Sequence, residues 1–369
     1  MTTPNATETA TSAACYENLT PLAFLGRTAQ TFPDREAIVY GTRRSTYAQF
    51  EDEVQKLART LAQSVEPGQV VTFVAPNIPE MLIAHFAVPL IGAVLNPLNP
   101  RLSGREFRYI FEHAETQMVF VDSEVADVVA KAAAGLENPP VVIEVVDEQF
   151  GAAPTGQLPT YNDFLAAAPA QTADNTFTYE VDNELATITL NYTSGTTGPP
   201  KGVVYTHRGA YLSAQANAQH YQLGGQSKYM WTLPMFHCNG WTMPWGATVT
   251  ASTHVCLRAV RQDAIWDAFE QEGITHLCGA PIVAASIIEA ERARPLDRPI
   301  RLVTAASAPP PSVIEGLESL GITPVHVYGL TETYGPATIN EPQDHWAELS
   351  VTERARRLAR QGVPMAQNT

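Results

Sequence analysis

Short apolar runs alternate with amphipathic stretches through most of this chain, and that alternation limits the fold more than any single motif. QVVTFVA, MVFVD, VVIEVV, ITHLCGA, IRLVTAA and TPVHVYG are brief and continuously apolar, as strands covered on both faces are. Between them GREFRYIFEHA, DAIWDAFEQEG and APIVAASIIEAERAR show helical spacing. Strand and helix in alternation specify parallel sheets with helices on both faces. At 369 residues the chain exceeds the usual size of one compact core, so more than one lobe is expected. The expected fold class is α/β: two packed αβα lobes with largely parallel sheets.

Local signals divide the chain further. Residues 1–18 read as a mobile polar tail. AIVYGTRRSTY predicts a hairpin turning at Gly41, and it runs into a helix whose Tyr47, Phe50, Val54, Leu57 and Leu61 share one face. Residues 19–177 are assigned to a first lobe, with the early hairpin and helix expected to pack on the second. Gly151 to Phe177, rich in Pro, Ala, Gly and Thr, reads as the passage between lobes. Residues 178–369 form the second. Near the end, Ser350 and Glu353 predict a capping box, and Gly362 and Pro364 a helix stop.

Charge excludes some functions. Lys and Arg number 23 against 38 Asp and Glu, a net charge of −15, which argues against sequence-independent binding to nucleic acid or an anionic membrane. Cys15, Cys238, Cys256 and Cys278 are scattered without zinc spacing and read as reduced thiols. The most apolar stretch, MLIAHFAVPLIGAVLNPL, contains His85 and is broken by Pro89. A buried helix followed by a strand is expected there, not a membrane span. The N-terminus lacks the basic start and apolar block of a secretory signal. A soluble, cytoplasmic protein is expected.

One loop stands out chemically. YTSGTTGPPKG, Tyr192 to Gly202, sets glycines and small hydroxyls ahead of one lysine, after an apolar strand and before a strand and a helix capped by Thr206. Glycines let backbone N–H groups approach an anion, hydroxyls add donors, and Lys201 supplies a point charge. A nucleotide triphosphate loop of the Walker type is a weaker reading, because Pro200 stands where that pattern needs its Gly-Lys-Ser/Thr. A flexible polar turn is the bland alternative.

TSGTTGPPKG resembles the phosphate loop of the adenylate-forming (AMP-binding) ligases, which include acyl-CoA synthetases, adenylation domains and luciferases. LPMFHCNGW (Leu233 to Trp241), VTAASAPPP (Val303 to Pro311) and VYGLTET (Val327 to Thr333) agree in order and spacing with that family. The acyl-CoA synthetase branch is the most similar. The resemblance implies an acid–CoA ligase: a carboxylic acid and ATP give acyl-AMP and pyrophosphate, then coenzyme A gives acyl-CoA and AMP. It further implies that Thr193, Ser194, Gly195, Thr196, Thr197, Gly198 and Lys201 grip the departing phosphates. Ser307, Ala308 and Pro309 would wall the adenine, with Tyr328 and Gly329 beside it. Thr331 would contact the α-phosphate, Glu332 would hold Mg²⁺, and His237 would position the acid's carboxylate. The alternatives are a core aromatic at Tyr328, a solvated carboxylate at Glu332 and a structural ring at His237. A lysine ammonium about 4 Å from a phosphate oxygen is worth ~4 kcal/mol at an effective dielectric near 20, so Lys201 should outweigh any single backbone amide.

Phe236-His237 replaces the neighbourhood where amino-acid-activating relatives carry an aspartate, which disfavours an amino-acid substrate. Gly329 stands where acetate-specific relatives have a tryptophan. A medium-chain fatty or aromatic acid is therefore expected, with Trp241, Met243 and Trp245 either lining its pocket or forming plain core. The same resemblance implies a missing C-terminal lid lobe and an incomplete β-barrel, with exposed edges and self-association, as a homodimer for example, expected. In that case the chain is a truncated ligase; the alternative is a non-catalytic fragment that binds nucleotide or acid.

Overall fold

In the computed structural model, which describes residues 17–193 and 198–368, the strands run in chain order as follows. They are β1 (Glu36–Tyr40), β2 (Arg43–Thr46), β3 (Val70–Val74), β4 (Val94–Leu98), β5 (Thr116–Asp122), β6 (Val141–Val145), β7 (Thr187–Thr193) and β8 (Lys201–Thr206). The later ones are β9 (Lys228–Met230), β10 (Thr253–Val255), β11 (His276–Gly279), β12 (Ile300–Thr304), β13 (Ile322–Leu330), β14 (Gly335–Ile339) and β15 (Val363–Pro364). Among the described residues they build two sheets, ordered β6-β5-β3-β4-β7-β8 and β15-β14-β13-β12-β11-β9-β10-β1-β2. Pairing is parallel except at β7–β8, β1–β2 and β13–β14–β15. Neither sheet closes into a barrel, and the α/β class read from the sequence is the one observed.

The six apolar runs named above are β3, β5, β6, β11, β12 and β13. The early hairpin forms at Gly41 and joins the nine-stranded sheet through β1 and β10. The strands beyond residue 178 divide between the sheets, because β7 and β8 extend the six-stranded one through β4. Two crossings therefore knit the chain together, and the sheets share a core between them besides the cluster each has under its outer helices.

That shared core is a layer of helices between the sheets. Helix Tyr47–Leu61 buries Tyr47, Phe50, Val54, Leu57 and Leu61 completely, and Thr46 and Gln49 close a capping box at its start. Helix Pro79–Leu90 is buried at every position but Glu80, which its apolar composition requires and no two-sided surface helix could tolerate. Pro89 falls in its last turn, and β4 follows. No helix among the described residues is long and apolar enough to cross a membrane. Outer helices Gly104–His113 and Ala126–Ala134 cover the six-stranded sheet, while Gln262–Gln271, Pro281–Ile288 and Pro311–Ser319 cover the other.

Two local expectations are corrected. Ser350 accepts a bond from the Glu353 backbone at 3.2 Å, but the reciprocal half of the box is not made, because Glu353 pairs with Arg357 at 3.3 Å. The helical pattern read to Arg294 stops at Ile288. Beyond it Arg292 turns to Asp267 and Glu270, at 2.8 and 2.7 Å, instead of continuing the helix.

Candidate active site

β12 and β13 are parallel neighbours, with Thr304 opposite His326. Ser307 lies three residues past the end of that pairing and Tyr328 two residues past it, so both reach the carboxyl edge of the sheet, where ligands of open α/β sheets collect. Ser307 and Ala308 are exposed and Pro309 is buried. Tyr328 keeps 44% of its surface exposed, so it is not a core ring. Nearby, the Thr304 hydroxyl is buried without a partner among the described residues.

After β13 the chain turns through Thr331–Thr333 into β14. The Tyr205 hydroxyl, on β8, donates to the Thr331 carbonyl at 2.7 Å. The Thr331 hydroxyl lies 3.1 Å from Cys238 Sγ, and Cys238 Sγ lies 3.8 Å from His237 Nε2. Three stretches remote in sequence therefore meet within one cluster: the strand leaving the phosphate loop, the LPMFHCNGW segment and the VYGLTET segment. Tyr334 seals the joint, its ring 4.1 Å from that of Tyr205 and its hydroxyl bonded to the Thr206 backbone at 3.0 Å. A Cβ on Gly209 would come within 2.2 Å of the Tyr334 hydroxyl, so only glycine admits that ring.

Thr193 and Lys201 face each other across the β7–β8 hairpin. Lys201 stands about 13 Å along β8 from Tyr205, at ~3.3 Å per residue. Helix Gly104–His113 braces the loop end of the hairpin, with His113 bonded to the Tyr192 hydroxyl at 2.6 Å and Tyr109 to the Pro200 carbonyl at 3.3 Å. Ser194, Gly195, Thr196 and Thr197 lie outside the described residues; Gly198 is described.

His237 opens a turn of unusual hand. Cys238, Asn239, Gly240, Trp241 and Thr242 all have positive φ, between 42° and 57°. Gly240 N–H donates to the His237 carbonyl at 2.8 Å and Thr242 N–H to that of Asn239 at 2.9 Å. Left-handed helix costs a non-glycine residue roughly 1–2 kcal/mol, so neighbours must hold this turn in place. Asn77 does so from before the turn, donating to the Trp231 and Leu233 carbonyls at 2.8 and 3.0 Å and accepting from Met235 N–H at 2.8 Å. Asn217 does so from beyond it, donating to the Trp241 carbonyl at 2.8 Å. The His237 ring reaches solvent, yet protein crowds it closely enough that desolvation lowers its pKa. Desolvation also raises that of the Cys238 thiol, so this cysteine is a neutral packing group and no thiolate.

Gly329 has a reason that the sequence did not reveal. A Cβ there would lie 1.8 Å from the Gly335 carbonyl oxygen, because β14 folds back onto β13 at that point. Backbone, not open space, occupies the room a side chain would take. Trp241, Met243 and Trp245 are buried in the shared core. His207, bonded to Thr20 at 2.9 Å, is buried as well. Asn77, His85, Asn191, Asn239 and Tyr205 escaped sequence reasoning. A lone Asn or Tyr inside an apolar run carries no spacing signal, although Asn239 inside LPMFHCNGW could have been marked.

The donor set fits a phosphorylated nucleotide and one hard cation. Lys201 is exposed with no acidic partner among the described residues, and so is the Glu332 carboxylate with no basic one. No cluster of three His, Cys, Asp or Glu that could hold a metal alone occurs among the described residues. One carboxylate suffices for a cation that takes its other ligands from phosphate and water.

Exposed Lys201, Glu332 and Tyr328, the last two just past the parallel pairing of β12 and β13, stand on an α/β frame. The family model described as AMP-binding enzyme matches residues 25–369, and the chain belongs to that family. It is 38% identical over 367 residues to an acetate/butyrate–CoA ligase of Arabidopsis thaliana described as peroxisomal, covering 95% of this chain and 64% of that one. An acetate–CoA ligase of Humulus lupulus is 37% identical over 370 residues, with the same two coverages. The chain thus spans less than two thirds of the length of these relatives. Among solved structures, the inhibitor-bound N-terminal domain of FACL13 from Mycobacterium tuberculosis superposes with a TM-score of 0.80 at 23% identity, over 94% of this chain and 83% of that one.

Proposed function

We propose that this chain carries the nucleotide- and acid-binding body of an ATP-dependent acid–CoA ligase, which makes acyl-AMP and pyrophosphate and then acyl-CoA. The observation that supports the reading is the meeting of Tyr205, Cys238 and Thr331, which ties β8, the residue after His237 and the residue before Glu332 to one another. Thr193, Gly198 and Lys201, with Ser194 to Thr197, would hold the β- and γ-phosphates. Ser307, Ala308, Pro309, Tyr328 and Gly329 would hold the adenine, and Thr331 the α-phosphate. Glu332 would hold Mg²⁺, which when bound neutralises charge on the phosphates. His237, kept neutral by its crowded surroundings, would orient the acid's carboxylate by a hydrogen bond without competing for the nucleotide as a cation.

The acid is an apolar carboxylic acid. A medium-chain or aromatic acid remains our reading, supported by relatives named as benzoate and trans-cinnamate ligases. Gly329 no longer supports it, since backbone explains that glycine. Names of other relatives point to acetate, butyrate and 2-methylpropanoate, so all five belong in the panel. A cytoplasmic location is proposed against relatives described as peroxisomal, and imaging a tagged chain decides it.

ATP–pyrophosphate exchange by the 369-residue chain across these acids and octanoate tests the reaction. Acid-dependent exchange is expected; ATP binding without exchange would leave only a binding module. Lys201→Ala should weaken ATP binding on the order of 100-fold, as measured by calorimetry. Unchanged affinity would remove the phosphate assignment.

A further inference from the structure

We propose that Asn239 is a positioning residue of this site: its buried amide ties the turn bearing His237 to β7, the strand that enters the phosphate loop. The proposal rests on the ligase reading and names how that site is held in register.

Asn239 is fully buried, and its side chain leaves no polar atom unused. Its Oδ1 accepts from the Thr189 hydroxyl at 2.7 Å and from Asn191 Nδ2 at 2.6 Å, while its backbone N–H donates to Asn191 Oδ1 at 3.2 Å. Thr189 and Asn191 are alternate residues of β7 and so share one face, and Asn191 stands two residues before Thr193. On its other side, Asn239 Nδ2 lies 3.0 Å from His85 Nε2. His85 Nδ1 is 2.7 Å from the Met81 carbonyl, which can only accept, so Nδ1 carries the ring proton and Nε2 receives the amide's. The side-chain bonds donate in one direction, from β7 through Asn239 to His85 and on to the Met81 carbonyl, and only the Asn239 backbone N–H donates back to β7.

Few side chains meet these demands together. The position needs two acceptor directions toward β7, a donor toward His85 and tolerance of a φ of 42°. Asparagine enters the left-handed region more readily than other side chains with both groups. Aspartate would lack the donor, and glycine would accept the backbone but make none of the side-chain bonds. Because Asn239 follows His237 by two residues in a turn of fixed hand, the amide sets where that ring stands relative to the hairpin.

Ring-nitrogen NMR of the 369-residue chain tests the tie without requiring turnover. His85 should show a protonated Nδ1 and an unprotonated, hydrogen-bonded Nε2. In Asn239→Gly, which keeps the backbone's hand, the His237 titration should move up toward that of a free histidine. His85→Leu should do the same, and His85→Gln, which retains an acceptor, should stay close to the parent. In ATP–pyrophosphate exchange, Asn239→Gly should lose about 100-fold in rate with a smaller change in the KM for ATP, as a displaced catalytic group does. A folded Asn239→Gly or His85→Leu variant whose His237 titrates as in the parent overturns the proposal. If Asn239→Gly does not fold, the His85→Leu and His85→Gln pair decides by the same measurement. Absence of exchange in the parent chain would count against the ligase reading alone, since the ring signals still report whether Asn239 fixes His237.

Discussion

Two seams join the sheets, and they are built from opposite chemistry. At one, Arg258, just past β10, donates to Asp122 at 2.8 and 2.9 Å and to Asp147 at 2.8 Å. The Tyr40 hydroxyl donates to Asp147 as well. Its carboxylate partners push the Arg258 pKa up, with their hydrogen bonds outweighing desolvation. Beside it lies a cavity of about 520 Å³ lined by Tyr40, Arg43, Glu80 and Asp147. At the other seam, next to the candidate site, the ties are neutral: Asn77, Asn191, Asn239 and His85, packed in a core of aromatic side chains. A fixed charge about 4 Å from an anionic ligand would shift its energy by ~4 kcal/mol at an effective dielectric near 20. Amides hold the walls in place without adding such a charge. The ionic seam is thus suited to clamping, and the amide seam to holding its segments without adding charge.

Acid should separate the seams most. Burial lowers His85, His207 and His276 to about 4 and His254 to about 3, against about 6.5 in the unfolded chain. Below pH 6.5 the unfolded state then binds more protons than the folded one, so stability falls with pH. It is full above about 6.5 and drains away toward 4, by on the order of 3 kcal/mol for each histidine. Chemical denaturation at a series of pH values should show this slope, and His85→Gln should reduce it by one proton. A flat profile between pH 6.5 and 4.5 would mean these rings are not buried and neutral. Arg258 stays charged throughout.

Breaking the ionic seam should cost nearly as much. Arg258→Ala leaves Asp122 and Asp147 buried without their cation and should destabilise by about 3–5 kcal/mol in urea, whereas an unchanged midpoint would make the clamp ornamental. Asn77→Ala orphans two carbonyls and an N–H of the segment before His237. A loss of about 1–3 kcal/mol is expected, together with a broadened His237 signal. The smallest effect tests strain at the crevice itself: Ala306 has a φ of +80°, so Ala306→Gly should raise the thermal midpoint, by an amount equal to about 1 kcal/mol. A lower midpoint would mean that the alanine methyl packs usefully.

The helix face from Tyr47 to Leu61, the strands β3, β5, β6 and β11 to β13, and the cap at Thr206 were legible because each follows from a period or a local bond. Family membership was legible too, through the order and spacing of the motifs. The amide seam was not legible, because Asn77, Asn191 and Asn239 lie on segments far apart in sequence, the nearest two 48 residues apart, and no local pattern links them. Gly329 was misread for a related reason: its neighbour Gly335 presses on it only once β14 folds back. The capping box at Ser350 was half right, since an i, i+4 pair with Arg357 competes for Glu353.

By itself, then, the sequence determined the alternation of elements, the layers they form and the family its motifs mark, because periodicity and motif chemistry act over a few residues. Only the tertiary structure decided which sheet each strand joins, that five consecutive residues turn left-handed after His237, and that neutral amides hold them there. Those outcomes depend on buried groups finding partners from distant segments, and the cost of leaving them unpaired is set by the whole fold.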